Sequence, residues 1–367
     1  MKTLFYISGH GFGHATRIAA IMKALIDRDA SAQLYVKTRA GRLLFEGVPN
    51  SCLHYYDKMI DAGVIERDIF SQDVPATLSR CIEINSSKGD IVREEAGFAK
   101  TEDIDVIVSD IPPLASDIGQ SADIPTVAVG NFSWDFIYDP YVHLYPEFAG
   151  LVDEMRISYG KTNLLLRLPF HHEMEAFPRQ RDIPLVVRRR TVESEETKVR
   201  LGIPLGRSRP VVFLALRMSD ASVRKGLDDL VRSDQFLLLS TERLSGADEG
   251  KVRIVPPEMR ITEFPNIMGA SDVVISKLGY GMASECVAAR TALMYPPRED
   301  FAEHAVLESS IEQTLPSYCM PKKDFLDGKW SSHVKKFLRR GFTWTDTRTD
   351  GAEVAAEIIM SHKKPFQ

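Results

Sequence analysis

The sequence predicts an α/β protein built from two doubly wound lobes, each with its own parallel sheet, facing a common cleft. Three observations carry that expectation. The chain has 367 residues, the length of two ordinary domains at roughly 150 residues each. Short β-branched or aromatic runs alternate with helix-period segments, the pattern of βαβ units whose strands all return to one sheet. The alternation is interrupted once, by the charged, proline-containing stretch RQRDIPLVVRRRTVESEE (Arg179 to Glu196), and then restarts.

In the first lobe TLFYIS, AQLYVKT, DVIVSD and PTVAVG read as strands, with helices over Ala15 to Asp27 and Leu114 to Ala122. The boundary falls near residue 190, where Ser194 is a plausible N-cap for a short helix running to Leu201. Beyond it PVVFLALR, FLLLST, VRIVP, DVVISK and ALMYP read as strands of a second sheet, with helices over Ser222 to Arg232 and Met282 to Ala289. Helical stretches follow at Ala302 to Gln313, Ser331 to Arg340 and Gly351 to His362. The expected division is 1–190, 191–345 and a closing segment 346–367 that crosses back to the first lobe by analogy with the family named below.

Hydrophobic residues make up 44% and charged residues 26% of the chain, and the formal net charge is -5. These values are ordinary for a globular protein and offer no electrostatic reason for a nucleic-acid partner. Four cysteines (Cys52, Cys81, Cys286, Cys319) lie far apart without a CxxC pair, as reduced thiols in a cytoplasmic protein would. No stretch approaches the ~20 apolar residues that span a bilayer, so no transmembrane segment is expected.

In doubly wound sheets the loops at the carboxyl ends of strands form the ligand crevice. The first such loop is in YISGHGFGHATR, residues 6–17. It is not a dinucleotide fingerprint, because the third glycine arrives one place early and the second strand ends in Lys37-Thr38-Arg39 with no acid. Nor is it a Walker A loop, since no Lys-Ser/Thr pair follows. What remains is a glycine-lined mouth carrying His10 and His14. An imidazole there can take a proton from a hydroxyl if a carboxylate orients its other nitrogen. Asp110, at the end of DVIVSD, is the candidate orienter; the alternative is an N-cap for the helix after Pro112.

The second informative stretch is SDVVISKLGYGMASECVAARTALMYPPREDFAEHAVLE, residues 271–308. A strand ends at Lys277, Gly279 and Gly281 open a helix, and Glu285 follows one turn in. Backbone N–H groups at such a helix start suit a diphosphate, and the carboxylate suits ribose hydroxyls; a plain turn with a solvated glutamate is the alternative. NFSWDFIYDPY offers Trp134 and Asp135 either as an acceptor wall or as an aromatic plug. In PFHHEMEAF, His171, His172, Glu173 and Glu175 match no common metal motif, and neighbours in an extended segment point to opposite faces, so no metal site is expected. Arg188 to Arg190 reads as a solvated run near the lobe boundary, the alternative being that it faces the diphosphate.

ITEFPNIMGASDVVISKLGYGMASE resembles the donor-binding region of GT-B glycosyltransferases, especially the lipid II pathway N-acetylglucosaminyltransferase. A wider resemblance, through SGHGFGHATR, VSDIPPLA, NFSWDFIYDPYV, RLPF, DIPLVVRR and KLGYGMASE, is to the N-terminal glycosyltransferase-like region of plant L-arabinokinases and their stand-alone bacterial relatives. It implies a GT-B fold, two Rossmann-like domains facing a cleft. The resemblance to the lipid II pathway enzyme implies Glu285 on a ribose, the Gly279-Tyr280-Gly281-Met282 backbone on a diphosphate, Phe264 near a uracil, and, through GHGFGHATR, His14 at the position of the base or acceptor-contacting histidine. Kinase activity is not implied, because no P-x-x-x-G-L-x-S-S-A type ATP loop is present.

The sequence departs from the family in two places. LALRMSDAS offers Arg217 where a glycine-rich turn is usual, and the acidic pair that grips the donor sugar is only loosely present in REDFAEH, leaving Glu299, Asp300, Glu303 and His304 as candidates. The resulting expectation is transfer of a sugar from a UDP-sugar to a hydroxyl of a small-molecule or glycan acceptor. Transfer would be inverting and need neither metal nor cofactor. His14 or His10 would be the base, Lys277 or Arg217 would stand at the diphosphate, and Gly11, Phe12, Gly13, Trp134 and Asp135 would line the acceptor side. A UDP-sugar 2-epimerase or hydrolase, and a non-catalytic nucleotide-sugar sensor, are the alternatives.

Overall fold

Seven parallel strands form the first sheet: β1 (Lys2–Ile7), β2 (Gln33–Thr38), β3 (Leu53–Asp57), β4 (Val106–Asp110), β5 (Thr126–Gly130), β6 (Leu164–Arg167) and β7 (Gln180–Asp182). Their spatial order is β3-β2-β1-β4-β5-β6-β7. A second sheet, ordered β10-β9-β8-β11-β12-β13, contains β8 (Val211–Ala215), β9 (Leu237–Ser240), β10 (Val252–Ile254), β11 (Val273–Ser276), β12 (Ala292–Tyr295) and β13 (Ser317–Cys319). This computed structural model describes residues 1–206, 209–216, 221–242 and 250–362. Among them no helix is long and apolar enough to cross a membrane.

Both sheets reverse their strand order beside their first strand, between β1 and β4 and between β8 and β11. Such switch points open a crevice at the carboxyl edge, because the crossover helices on either side leave in opposite directions. Register sharpens the placement: Ile7 pairs with Asp110, so the last residue of β4 lies beside the start of the YISGHGFGHATR loop. The central strands β1, β4, β5, β8 and β11 are buried almost throughout, as a parallel sheet covered on both faces requires.

Several elements differ from the sequence reading. The edge strand β3 and the helices Val74–Ser86 and Lys88–Thr101 carry many polar residues and few apolar ones in period. NFSWDFIYDPY is helical over Trp134–Val142 despite Pro140. Ser194 is the first helical residue, Glu193 being the cap, and the Ser194 hydroxyl instead donates to the Gly269 carbonyl at 2.7 Å.

The chain passes between the lobes twice, and the two passages are bonded together. Leu185 N donates to Arg348 O at 3.2 Å and Gly351 N to Leu185 O at 3.1 Å, beside a Val186–Asp350 bridge. A Cβ at Gly351 would sit 2.1 Å from the Pro184 carbonyl, so only glycine allows this approach. The helix Gly351–Ser361 then packs on the helix Gly13–Arg28 of the first lobe, burying Ala352, Ala355, Ala356, Ile358 and Ile359. The four cysteines are free thiols, three of them buried.

Candidate functional site

The loop after β1 turns through Gly11, whose φ of +69° lies where side chains with a Cβ are strained. The helix Gly13–Arg28 then places His14 and Arg17 on one face, three residues apart, against the end of β4. His14 Nδ1 lies 2.7 Å from Asp110 Oδ1. Arg17 grips the same carboxylate from the side, Nε donating to Oδ2 at 2.6 Å and Nη2 to Oδ1 at 2.5 Å. Asp110 is fully buried; burial alone would raise its pKa, but Arg17 and His14 hold it below the ordinary carboxylate value. The same His14 Nδ1 also lies 2.9 Å from Arg17 Nη2, so it faces a carboxylate, which only accepts, and a guanidinium, which only donates; the tautomer with its proton on Nδ1, toward Asp110, is the one that leaves Nε2 as the basic nitrogen. Asp110 does not cap the helix Leu114–Ala122, which starts at Pro113 without a side-chain cap.

His10 is held differently. Its Nδ1 lies 3.0 Å from the Val64 carbonyl, and its ring packs against Trp134 and Phe301. Burial, with the charges of His14, Arg298 and Lys277 beside it, lowers its pKa to about 4 against the opposing pull of Glu66. Of the two histidines, His14 therefore has the carboxylate partner and His10 a carbonyl.

On the opposite side β11 leads through Lys277 and Gly279 into the helix Tyr280–Ala289. Its first turn meets the first turn of the helix Gly13–Arg28: a Cβ on Gly281 would lie 3.1 Å from Gly13 Cα. A small half-open hollow sits beside that contact, lined by Thr16, Arg17, Gly281, Ser284 and Glu285 together with Val186 to Arg188. The Arg17 guanidinium lies over the Tyr280 ring at 5.2 Å, and the Tyr280 hydroxyl accepts from Val186 N at 3.3 Å.

Two residues outside the sequence-derived set span this cleft. Glu66 accepts from Lys277 Nζ at 2.7 and 2.9 Å and from Arg298 Nη2 at 3.1 Å. Burial works against its ionisation, but the two cations prevail and its pKa is lowered. Arg188 is not a solvated residue: Nε donates to Glu285 Oε1 at 2.6 Å and Nη1 to the Ile261 carbonyl at 2.6 Å. Its guanidinium lies 5.5 Å from the Phe264 ring centre, and Phe264 packs on Phe213.

The REDFAEH segment divides. Glu299 is exposed and pairs with Lys322 at 3.2 Å, and Asp300 is also exposed. Glu303 is buried and accepts from Asn131 Nδ2 at 2.9 Å, while Asn131 Oδ1 accepts from Arg17 Nη1 at 3.0 Å. A buried polar chain thus runs from His14 through Asp110, Arg17 and Asn131 to Glu303 on the other lobe. Arg298 Nε and His304 Nδ1 are buried with no hydrogen-bond partner among the described residues.

Of the other candidates, Trp134 is buried and donates from Nε1 to Asp61 Oδ2 at 2.9 Å. Asp135 lies 3.4 Å from Arg156, Phe12 is 70% exposed, and Arg217 lies outside the described residues. His172 stacks on Phe136 with ring centres 3.8 Å apart, and its Nδ1 accepts from Met174 N at 3.2 Å. Among the described residues no group of three His, Cys, Asp or Glu side chains is placed to hold a metal ion. The spacing of His14 and Arg17 could have flagged Arg17, and Asn131 opens the NFSWDFIYDPYV motif; Glu66 and Asp61 sit in segments with no periodic or motif signal.

No family model matches the chain. It is 28% identical over 362 residues to the L-arabinokinase of Arabidopsis thaliana, a match covering 97% of this chain and 34% of that protein. It therefore spans about a third of the length of this curated relative, as the sequence resemblance to the N-terminal region of such proteins implied. Among solved structures it is similar to the glycotransferase of kitacinnamycin (TM-score 0.61, 11% identity, 99% of each chain) and to MurG of Acinetobacter baumannii (TM-score 0.57, 10% identity, 98% of this chain and 100% of that one). A third is the glycosyltransferase VinC, solved in complex with dTDP (TM-score 0.58, 11% identity, 99% of this chain and 95% of that one). With two doubly wound parallel sheets facing each other across their carboxyl edges, the chain has the GT-B fold.

Proposed function

We propose that the protein transfers a sugar from a nucleoside diphosphate sugar, with UDP as the preferred nucleotide, to a hydroxyl acceptor, with inversion and without a metal ion. The observation that carries this reading is the buried His14–Asp110 pair at the first lobe's switch point, facing the glycine turn Gly279–Gly281 of the second lobe. Nε2 of His14 takes the acceptor's proton as its oxygen attacks the anomeric carbon, and Asp110 stabilises the imidazolium that forms. The bond to the diphosphate breaks on the opposite face, which inverts the centre. Charge arriving on the diphosphate meets the backbone N–H groups of Gly279 to Met282, with Lys277 and Arg298 beside them.

Glu285 holds the ribose hydroxyls and Phe264 stacks on the base. The ribose and base contacts require Arg188 to leave Glu285, and the diphosphate contacts require Glu66 to leave Lys277 and Arg298, as the donor enters. The free thiols support a reducing, cytoplasmic setting.

Calorimetric titration with UDP, dTDP, GDP and their sugars tests the donor half. The reading expects UDP to bind best, and failure of every nucleoside diphosphate to bind overturns it. Incubation with UDP-sugars alone, read for epimer or free sugar, separates transfer from epimerase or hydrolase activity.

A further inference from the structure

Asn131 follows β5 at the carboxyl edge of the first sheet, and Glu303 stands in the first turn of the helix Ala302–Ile311 on the other lobe. Both side chains are buried. The Asn131 amide can sit only one way round: Nδ2 donates at 2.9 Å to Glu303 Oε1, on a carboxylate that only accepts, and Oδ1 accepts at 3.0 Å from Arg17 Nη1, on a guanidinium that only donates. A carboxylate of one lobe thus holds an arginine of the other through a single side chain.

The position of that arginine decides the tautomer of His14. Arg17 Nε and Nη2 donate to Asp110, and Nη2 also lies 2.9 Å from His14 Nδ1. A guanidinium is a planar fork whose donors are fixed relative to one another. With Nη1 held on Asn131 as well, all three nitrogens have partners and the fork cannot turn in its plane. Released at Nη1, it is free to pivot about the bond from Nε to Asp110 Oδ2, which swings Nη2 off Oδ1 and onto His14 Nδ1. The two arrangements place the imidazole proton differently. While Nη2 serves Oδ1, a proton on Nδ1 has the carboxylate as its acceptor and Nε2 is basic. Once Nη2 donates to Nδ1, that nitrogen must be bare and the proton moves to Nε2.

We propose that Glu303 is a positioning residue: acting through Asn131, it holds Arg17 on Asp110 and so keeps the His14 proton on Nδ1. The inference rests on the reading of His14 Nε2 as the base and adds a condition to it. Because Glu303 belongs to the other lobe, the base is armed only while the lobes stand together, with water excluded from the donor. When they part, Arg17 turns to His14, and Nε2, now carrying the proton, can no longer accept one.

The test reads the tautomer directly and needs no substrate. In the full chain labelled with ¹⁵N-histidine, imidazole nitrogen shifts separate a protonated nitrogen from a bare one at about pH 8.5, well above the ordinary histidine pKa of about 6.5. Of the nine histidines, His14 is identified by the signals lost in His14→Gln. Wild type should carry its proton on Nδ1. Glu303→Asp keeps the charge but draws the oxygen back by one methylene, and Asn131→Ala removes the link. Each should move the ratio of the two tautomers by about tenfold toward Nε2–H, the effect of one hydrogen bond gained at Nδ1. Glu303→Gln loses the charge but keeps an oxygen within reach of Asn131, and should read as wild type. The two Glu303 variants are mild changes that strand no cation, so their comparison decides the matter even if Asn131→Ala does not fold. An unmoved ratio in Glu303→Asp, or a shift in Glu303→Gln as large as in Glu303→Asp, overturns the proposal and leaves the base assignment intact, whereas a wild type protonated on Nε2 overturns both.

Discussion

Replacing Asp110 with asparagine isolates the central electrostatic relation of the site. The substitution preserves shape but removes the charge that faces Arg17, itself 4% exposed, and turns an amide N–H₂ toward donors at either Oδ1 or Oδ2. Breaking a buried ion pair from one side leaves an uncompensated charge and destabilises by about 3–5 kcal/mol. For a lobe of this size, each kcal/mol moves the melting temperature by roughly 2–4 °C, so Asp110→Asn should lower it by about 6–20 °C. Differential scanning calorimetry reads the shift. Adding Arg17→Gln should recover part of the loss, because the stranded cation is then gone, giving a non-additive double-mutant cycle.

The effect should be flat above about pH 5. Asp110's folded pKa is depressed, so its stabilising contribution is complete above the unfolded value of about 3.9 and disappears only as pH falls through the folded value. A melting temperature within about 2 °C of wild type, or strict additivity with Arg17→Gln, would refute the reasoning.

Five further outcomes follow from the geometry. His14→Ala should abolish sugar transfer while leaving UDP affinity within about twofold, whereas Glu285→Ala should weaken UDP binding by about tenfold, both measured by calorimetry and product assay. Glu66→Gln removes the carboxylate that now occupies Lys277 and Arg298 and should tighten UDP binding by about 3–10-fold at low salt; weaker binding would contradict competition for those cations. His10, with a folded pKa near 4 against an ordinary 6.5, stays neutral in the fold while the unfolded chain takes up a proton. Wild type should therefore lose stability between about pH 6.5 and 4 by an increment that His10→Gln does not show in urea titrations. In the second lobe a Cβ at Gly226 would fall 2.0 Å from the Trp330 ring, so Gly226→Ala should destabilise by about 1–3 kcal/mol in the same titrations.

The sheets were legible because buried parallel strands are written as unbroken apolar runs, and β1, β4, β8 and β11 are such runs. The neighbourhood of His14 and Asp110 was legible for the same reason, since both follow strands whose carboxyl ends must share one edge. What the sequence could not convey is contact between lobes. Arg188 reads as one of three solvated arginines until Glu285 is seen against it, and Glu66 lies in a loop whose sequence announces nothing until Lys277 and Arg298 close on it. In REDFAEH every acid looks equivalent in one dimension. Only the turn into the helix Ala302–Ile311 decides that Glu303 faces Asn131 while Glu299 faces solvent-exposed Lys322.

The paired passage between the lobes sets the kind of motion available to the cleft. A single strand of chain is a swivel, free to rotate about its own axis as well as to bend. Two strands tied side by side, as Leu185 and Val186 are to Arg348, Asp350 and Gly351, behave as a strip, which flexes across its thin direction and resists twisting. The lobes are therefore joined as a jaw. Such a joint confines any relative movement of the lobes to one arc, along which His14 keeps its bearing on the Gly279 turn.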